Sequence, residues 1–117
     1  MGGWRPETGT TSRMGAVLVG APDGRGGWEY AGRVGAGLAG AAGARVATLL
    51  EPLRRSASPF SNAVPREDSA GATWVEPQVV VEVQSLGRGS TGKLRQPAYL
   101  GIRTDLTPDD LHEVSDA

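Results

Sequence analysis

The feature that most constrains the fold is a pair of strand-like segments on either side of a turn sequence. Residues 14–20 (MGAVLVG) are apolar at consecutive positions, which is typical of a central strand buried on both faces. Residues 28–34 (WEYAGRV) alternate, which predicts the two aromatic residues and Val34 on one face and Arg33 on the other. The intervening PDGRGG is dense in turn-forming residues, so the two segments are predicted to form a β-hairpin.

Three further segments have strand patterns. A short strand is predicted at residues 2–4, and the alternation of valines with polar residues at 79–84 predicts another. Residues 94–103 predict the last strand, which Pro97 interrupts because proline cannot donate a ladder hydrogen bond. An edge position or a bulge is therefore expected at Pro97.

One longer helix and one long loop lie between these strands. Apolar residues follow helical spacing from Val46 to Leu53, and Pro52 is expected to end or kink the helix near Glu51. Residues 56–72 are rich in Ser, Pro, Ala and Gly and predict a long surface loop. Near the end of the chain, a short helix is predicted at Pro108–Val114, with Thr107 as its N-cap and acidic residues in its first turn.

The order of these elements predicts a mostly β protein with an OB-fold. This fold is a five-stranded Greek-key barrel with one helix between strands three and four, here followed by a short C-terminal helix. The OB-fold domain is expected to span residues 1–104, with strand one truncated at the N-terminus, and residues 105–117 to form an acidic tail. The alternation pattern also permits a generic α+β roll.

Charge and composition exclude several classes of function. The chain has no Cys and one His, so a thiolate or histidine metal site is not expected. No apolar run approaches the roughly 20 residues of a membrane span, and no secretory signal is recognisable, which predicts a cytoplasmic protein without membrane contact. Residues 1–104 hold all 12 basic residues and eight acids, so this part carries +4 and suits weak contact with a polyanion. An ordinary solvated surface would have the same charge.

Two glycine-rich motifs resemble phosphate loops but lack the required context. Residues 35–40 (GAGLAG) match the dinucleotide pattern, yet the following helix leads into Pro52 rather than a second parallel strand. Residues 87–93 (GRGSTGK) match the start of a P-loop, yet Leu94 replaces the Ser or Thr that would bind Mg²⁺. The second motif is therefore predicted to be a turn between two strands.

Several segments, in order and with characteristic spacing, resemble one family. They are GGW at 2–4, MGAVLVG at 14–20, YAGRVGAG at 30–37, PLRR at 52–55 with SPF at 58–60, WVEP at 74–77 with VEV at 81–83, and LRQPAYLGIRTD at 94–105. Together they resemble the C-terminal OB-fold domain of ATP-dependent DNA ligases of the bacterial end-joining type. The resemblance runs through nearly the whole chain.

This resemblance implies roles for individual basic residues. In the family, the arginine of the last motif helps to orient the leaving pyrophosphate and then contacts DNA, which assigns a catalytic role to Arg103. Nucleic-acid binding is expected from Arg33, Lys93, Arg95 and Arg103. Arg95, Tyr99 and Arg103 have the same parity, so they would face the same way unless Pro97 shifts the register. The alternative for Arg103 is a solvated arginine at a strand end.

Two departures from the family pattern bear on activity. Leu106 stands where the usual Arg-x-Asp-Lys motif has its lysine, which puts one phosphate contact in doubt. The family adenylates a lysine in a Lys-x-Asp-Gly motif, whereas Lys93, the single lysine here, lies in Lys-Leu-Arg-Gln. The chain alone therefore has no candidate nucleophile. ATP and Mg²⁺ are expected to act through a missing adenylation domain, with no cofactor or metal bound by this chain alone.

Three functions stay open at this point. The chain could assist ATP-driven adenylation and nick sealing in DNA repair and recombination, together with a separately encoded adenylation domain. It could instead be a stand-alone, non-catalytic OB-fold module that binds nucleic acid, or an inactive ligase fragment. Nicked duplex DNA is the expected partner, bound weakly by the chain alone. Whether the chain counts as an enzyme is undecided, since it should be inactive without a partner domain.

Overall fold

A five-stranded sheet and a smaller, two-stranded sheet form the framework of the molecule. The computed structural model describes residues 1–6, 14–38, 40–89 and 93–111. The strands of the five-stranded sheet are β1 (Gly3–Pro6), β2 (Met14–Pro22), β3 (Trp28–Val34), β4 (Arg54–Arg55) and β5 (Thr73–Val75), in the spatial order β3-β2-β1-β5-β4. A second sheet pairs β6 (Val81–Gln84) with β7 (Ala98–Ile102). All pairings within the two sheets are antiparallel.

The two sheets join to close the barrel. Ala36 forms a parallel bridge with Ala98, and the Tyr99 N–H donates to the Ala36 carbonyl at 2.8 Å. On the other side, β5 pairs with β1 and leads directly towards β6 through Glu76 and Pro77. Strand four of the predicted barrel is thus split into β5 and β6. The OB-fold arrangement is confirmed, including the hairpin of β2 and β3, and the generic α+β roll is not observed.

The helix between strands three and four also forms as predicted. Helix α1 spans Ala41–Leu50, and a 3₁₀ turn at Glu51–Leu53 contains Pro52. Val46 and Leu50 are fully buried in the main core, whereas Leu49 stays 38% exposed. The chain then enters β4, which pairs antiparallel with β5. A dinucleotide fold would need a parallel strand at this point, so the topology agrees with rejecting the glycine motif before α1.

Strand β2 is buried on both faces. Val17 and Val19 belong to the core inside the barrel, together with Val34, Leu38, Val46, Leu50 and Val75. Leu18 points to the opposite side and packs with Tyr30 and Phe60 in a second cluster. This outer cluster explains why residues 14–20 are apolar at consecutive positions.

The predicted alternation along β3 is wrong in one respect. Gly32 pairs with Val19 and Tyr30 pairs with Gly20, so Ala31 is the extra residue of a β-bulge. Because the bulge resets the alternation, Val34 and Ala31 lie in the barrel core while Tyr30 lies in the outer cluster. Tyr30 and Arg33 therefore share the outer face, where the sequence pattern had separated them.

The predicted surface loop at 56–72 is largely irregular and exposed, but it also packs on the outer face of the sheet, which the sequence did not predict. It contains a one-turn helix, α2 (Arg66–Ser69), and it buries both Phe60 and Asp68. The Phe60 ring fits between Gly2 and Gly20, where an added Cβ would lie 2.5 Å from a ring carbon in each case. We call residues 56–72 the strap.

The last described segment packs against the barrel. A 3₁₀ turn spans Pro108–Asp110, and the Thr107 N–H donates to the Asp110 carboxylate at 2.8 Å. Pro108 and Leu111 line an apolar cleft together with Met1 and Val79–Val81. The predicted continuation of a helix to residue 114 lies outside the described residues, and the boundary at residue 104 stays a prediction. In the described part of the chain, no helix has the length and apolar character to cross a membrane.

Candidate functional site

Arg103 lies directly after β7 and is held by two carboxylates. Its Nε and one terminal nitrogen donate to the two oxygens of Asp105 at 3.0 and 2.8 Å. Its other terminal nitrogen lies 3.6 Å from an oxygen of Glu82. The hydrogen bond with Asp105 is the main cause that raises the pKa of Arg103 and, equally, the main cause that lowers the pKa of Asp105. All three side chains are 41–63% exposed, so this charged group is accessible to a ligand.

A second bulge determines what faces Arg103. Glu82 pairs with Gly101 and Val83 pairs with Tyr99, so Leu100 is the extra residue in β7. As a result Tyr99 and Ile102 both pack against the barrel core, and Arg103 emerges on the side of Glu82. The prediction that Arg95, Tyr99 and Arg103 share one face is therefore wrong, because Tyr99 packs on the core and Arg95 lies outside β7.

Lys93 and Arg95 belong to an arm beside β3. The Gly89 N–H donates to the Lys93 carbonyl at 2.8 Å and the Arg95 N–H donates to the Gly87 carbonyl at 2.8 Å. The Leu86 N–H donates to the Arg95 carbonyl at 2.9 Å. The Leu94 N–H donates to the Ala31 carbonyl at 2.8 Å, and the Leu94 side chain packs on the core. We call residues 86–95 the arm, of which 90–92 lie outside the described residues. The arm has the hairpin character predicted for the GRGSTGK sequence.

The arm leaves its two predicted DNA-binding side chains outside the core. Arg95 is exposed and Lys93 is half-buried, and neither forms an ion pair within the described residues. Gln96 follows with φ 46°, a left-handed conformation that is rare for a non-glycine residue and rarer still before proline. This kink, rather than a bulge at Pro97 itself, separates Arg95 from β7.

Arg33 is engaged on the outer face of the sheet. One terminal nitrogen lies 3.8 Å from a carboxylate oxygen of Asp68, and the other oxygen of Asp68 accepts a 2.7 Å hydrogen bond from the Tyr30 hydroxyl. The Asp68 side chain is 11% exposed, whereas that of Arg33 is 49% exposed. Burial, followed by the hydrogen bond to Asp68, raises the pKa of Tyr30. Arg33 thus compensates a buried charge of the strap.

The structure assembles the predicted residues into two groups rather than one face. Arg33 and the arm lie along β3, since Leu94 bonds to Ala31 and lies 3.7 Å from the Cβ position of Gly32. Arg103 lies at the end of β7 with its own pair of acids. Asp68 and Glu82 were not identified from the sequence, because their contacts join residues 35 and 21 positions apart. No group of three His, Cys, Asp or Glu side chains among the described residues is placed to hold a metal ion.

A family comparison identifies this barrel. Residues 10–106 match the family described as the ATP dependent DNA ligase C terminal region. The chain belongs to this family. The matched residues include Arg33, the arm and the Arg103 group, so every candidate residue lies inside the ligase region.

Relatives of this ligase region are parts of larger proteins. The chain is 41% identical over 112 residues to the multifunctional non-homologous end joining protein LigD of Mycolicibacterium smegmatis, which covers 95% of this chain and 15% of that protein. It is 40% identical over 112 residues to the LigD DNA repair protein of Mycobacterium tuberculosis, with the same coverage. The chain therefore spans about a seventh of the length of these relatives.

Solved structures show the same barrel. The ligase domain of M. tuberculosis LigD superimposes with a TM-score of 0.89 at 38% identity, covering 97% of this chain and 37% of that one. A mycobacterial DNA ligase D complexed with ATP and MES superimposes with a TM-score of 0.83 at 37% identity, covering 97% of this chain and 36% of that one. The OB-fold of this ligase region is thus supported by both sequence and structure.

Proposed function

We propose that this chain is the phosphate-orienting and DNA-gripping region of an ATP-dependent DNA ligase that acts in end-joining repair. The observation that carries the proposal is the Arg103 group, an exposed guanidinium aligned by Asp105 at the end of a barrel strand. The family membership and the LigD relatives support a role in ligation and repair. ATP and Mg²⁺ would act through an adenylation domain, and nicked duplex DNA would be the substrate.

Arginine suits this role for a physical reason. Its planar guanidinium binds two phosphate oxygens at once and keeps its charge at any physiological pH. One edge of the Arg103 guanidinium is bonded to Asp105, and the other terminal nitrogen faces solvent and Glu82. The side chain can therefore offer one further bidentate contact, which fits a single phosphate group rather than a whole nucleotide. The adenosine and the remaining phosphates would need groups from the adenylation domain.

The arm supplies a different kind of contact. Arg95 and Lys93 lie on a hairpin at the rim of the barrel, and the loop between the last two strands is a common nucleic-acid contact in OB-folds. Their charges would bind the sugar–phosphate backbone without reading sequence. We propose that the arm grips DNA while the Arg103 group acts at the reacting phosphates. The expected cytoplasmic location stays a prediction.

Replacing the matching region of the M. tuberculosis LigD ligase domain with this chain would test the proposal. Arg103→Ala in that chimera should lower single-turnover adenylation about ten- to a hundredfold, the equivalent of one charge-assisted hydrogen bond. Sealing of a pre-adenylated nick should be largely spared, because only adenylation releases pyrophosphate. Arg25→Ala is the charge-matched control, since Arg25 lies in the β2–β3 turn, where its backbone N–H bonds to Asp23. Equal adenylation by both variants would refute the assignment of Arg103.

The same chimera addresses the missing lysine of the last motif. Leu106 is half-buried and its N–H lies 3.4 Å from the Arg103 carbonyl, so a lysine there would begin beside the Arg103 group. Leu106→Lys is expected to raise the rate of adenylation if this position contacts phosphate. A rate no higher than that of the parent chimera would assign the position to packing.

The isolated chain separates this proposal from a stand-alone binding module. With labelled ATP and Mg²⁺ it should form no AMP adduct that survives denaturation, because Lys93 is its single lysine and lies in the arm. Its binding to nicked DNA should be weak and should decrease strongly with salt. Tight binding that persists at physiological salt would favour the stand-alone module, and a labelled adduct would refute the need for a second domain.

A further inference from the structure

The two carboxylates around Arg103 hold it unequally. Asp105 accepts two hydrogen bonds, at 3.0 and 2.8 Å, from Nε and the adjacent terminal nitrogen. Glu82 faces the other terminal nitrogen at 3.6 Å, which is too long for a hydrogen bond and leaves a purely electrostatic contact. A bidentate pair of short charged bonds is much harder to displace than a single long contact.

The positions of the two acids in the chain also make Asp105 the more firmly held partner of Arg103. Asp105 lies two residues after Arg103 in the same turn, which the 3.4 Å approach of the Leu106 N–H to the Arg103 carbonyl closes. Asp105 therefore moves with Arg103. Glu82 belongs to β6 and approaches from the neighbouring strand, across from Gly101. Its side chain is 49% exposed, so its carboxylate can turn into water at little cost.

The free donors of Arg103 determine where a phosphate would bind. With Nε and one hydrogen of the adjacent nitrogen bonded to Asp105, two of the remaining three N–H groups lie on the edge formed by the two terminal nitrogens, and the third points to the side of Cδ. A phosphate that binds this edge with two oxygens would take the place now occupied by the Glu82 carboxylate. If Glu82 stayed in place, its carboxylate and the phosphate, which are both negative, would compete for the Arg103 guanidinium.

We propose that Glu82 is a competing carboxylate that an incoming phosphate must replace, while Asp105 stays bound and fixes the plane of the Arg103 guanidinium. Glu82 thus lowers the affinity of Arg103 for free anions, while the alignment of the guanidinium depends on Asp105. This inference rests on the proposed function of Arg103. It assigns opposite effects to two acids that contact the same side chain.

The experiment is a titration of the full chain with inorganic pyrophosphate at low ionic strength, followed by NMR of ¹⁵N-labelled arginine side chains. Glu82→Gln should bind pyrophosphate about two- to fivefold more tightly than the parent, the range expected for one exposed ion pair. Glu51→Gln makes the same charge change at another exposed pair, 3.3 Å from Arg54, and should change the affinity by less than about 1.5-fold. In all three proteins, the Arg103 Nε–H signal should keep its position as pyrophosphate saturates.

Each possible failure has a distinct meaning. If Arg103→Ala binds pyrophosphate as well as the parent, Arg103 is not the phosphate ligand and the proposed function loses its main residue. If Arg103→Ala abolishes binding but Glu82→Gln and Glu51→Gln behave alike, the role of Glu82 is refuted and that of Arg103 survives. If saturation moves the Arg103 Nε–H signal to that of an unbonded arginine, Asp105 rather than Glu82 is displaced. The amide spectra of the variants report whether each one is folded.

Discussion

Arg33 and Arg103 each pair with an aspartate, but the two aspartates have opposite surroundings. Asp68 is 11% exposed and also accepts a hydrogen bond from Tyr30, so its charge is part of the packing between the strap and the sheet. Asp105 is 63% exposed and bonds with Arg103 at the end of a strand. In this comparison the burial of the acid, rather than the presence of an ion pair, distinguishes a pair that contributes to packing from a pair that stays accessible to a ligand.

The two pairs also differ in what their loss would leave behind. Removing Arg33 would leave a nearly buried carboxylate with one remaining partner, which is costly. Removing Asp105 would leave an exposed guanidinium in contact with water, and this should cost little stability. Mutations at the contact between the strap and the sheet should therefore lower the stability of the fold. Mutations in the Arg103 group should instead change ligand binding and the rate of adenylation.

The largest expected effect is at the centre of the strap. Phe60 is 8% exposed and makes edge-on ring contacts with Tyr30 and Trp74 at 5.3 and 6.3 Å. Phe60→Ala should lower the free energy of unfolding by about 3–5 kcal/mol, measured by urea denaturation. Leu100→Ala, at a side chain that is 55% exposed, is the control and should change it by less than about 0.5 kcal/mol. A loss as small as that of the control would mean that the strap is not part of the folded core.

The next effect distinguishes the two aspartates directly. Asp68→Ala removes the acceptor of the Tyr30 hydroxyl and should cost about 1.5–3 kcal/mol, as for a buried hydrogen bond to a charged group. Asp105→Ala should leave the midpoint of urea unfolding unchanged within error. If both variants unfold at the same urea concentration, the contrast between the buried and the exposed pair is wrong.

Tyr30→Phe is expected to have a smaller effect that depends on pH. At neutral pH the loss of this hydrogen bond to a charged acceptor should cost about 1.5 kcal/mol, the lower end of the range for Asp68→Ala, because Arg33 still faces the carboxylate. Folding raises the pKa of Tyr30 above its ordinary value of 10.0, mainly through burial, so the folded state favours the neutral phenol. This contribution to stability is complete below pH 10 and is lost as the pH rises above it. Tyr30→Phe should therefore lose less stability than the parent between pH 10 and 11.5, and equally steep curves would contradict the burial of this hydroxyl.

The smallest predicted effect concerns DNA affinity. Each phosphate contact contributes about 0.9 to the slope of log affinity against log salt, so Arg95→Gln should reduce that slope by about one unit. Arg33→Gln should reduce it by less than half as much, because Asp68 already compensates the charge. Binding of a fluorescent nicked duplex across a range of salt concentrations measures both slopes. A larger loss for Arg33→Gln would show that Arg33, despite its partner, is the stronger DNA contact.

How far the sequence predicts this molecule depends on the distance over which its contacts reach. The β2–β3 hairpin and helix α1 depend on local patterns, and both formed within a few residues of their predicted bounds. The strap depends on Asp68 meeting Tyr30, 38 residues away, and on a ring filling the space above Gly2 and Gly20. Its Ser, Pro and Gly content resembles that of a solvated loop, so composition alone could not reveal it.

The contacts of the candidate site also differ in how far apart in the sequence their partners lie. Arg103 is a candidate because it lies in a segment that resembles a family motif, and Asp105 is in the same segment. Glu82 was missed as a partner because the bulge at Leu100, which turns Arg103 towards β6, has no sequence signature. The left-handed Gln96 also lies before a proline, where sequence rules predict an extended residue.

The bulge at Ala31 makes the chain length of β3 as important as its residues. The bulge leaves both Tyr30 and Arg33 on the outer face, and the Ala31 carbonyl also accepts the hydrogen bond from Leu94 that attaches the arm. Deleting Ala31 would restore regular alternation with Tyr30 and Arg33 still on the outer face, but it would remove the carbonyl to which Leu94 attaches the arm. Among homologous ligases, a chain that lacks this bulge should therefore differ in how its arm is attached to the barrel.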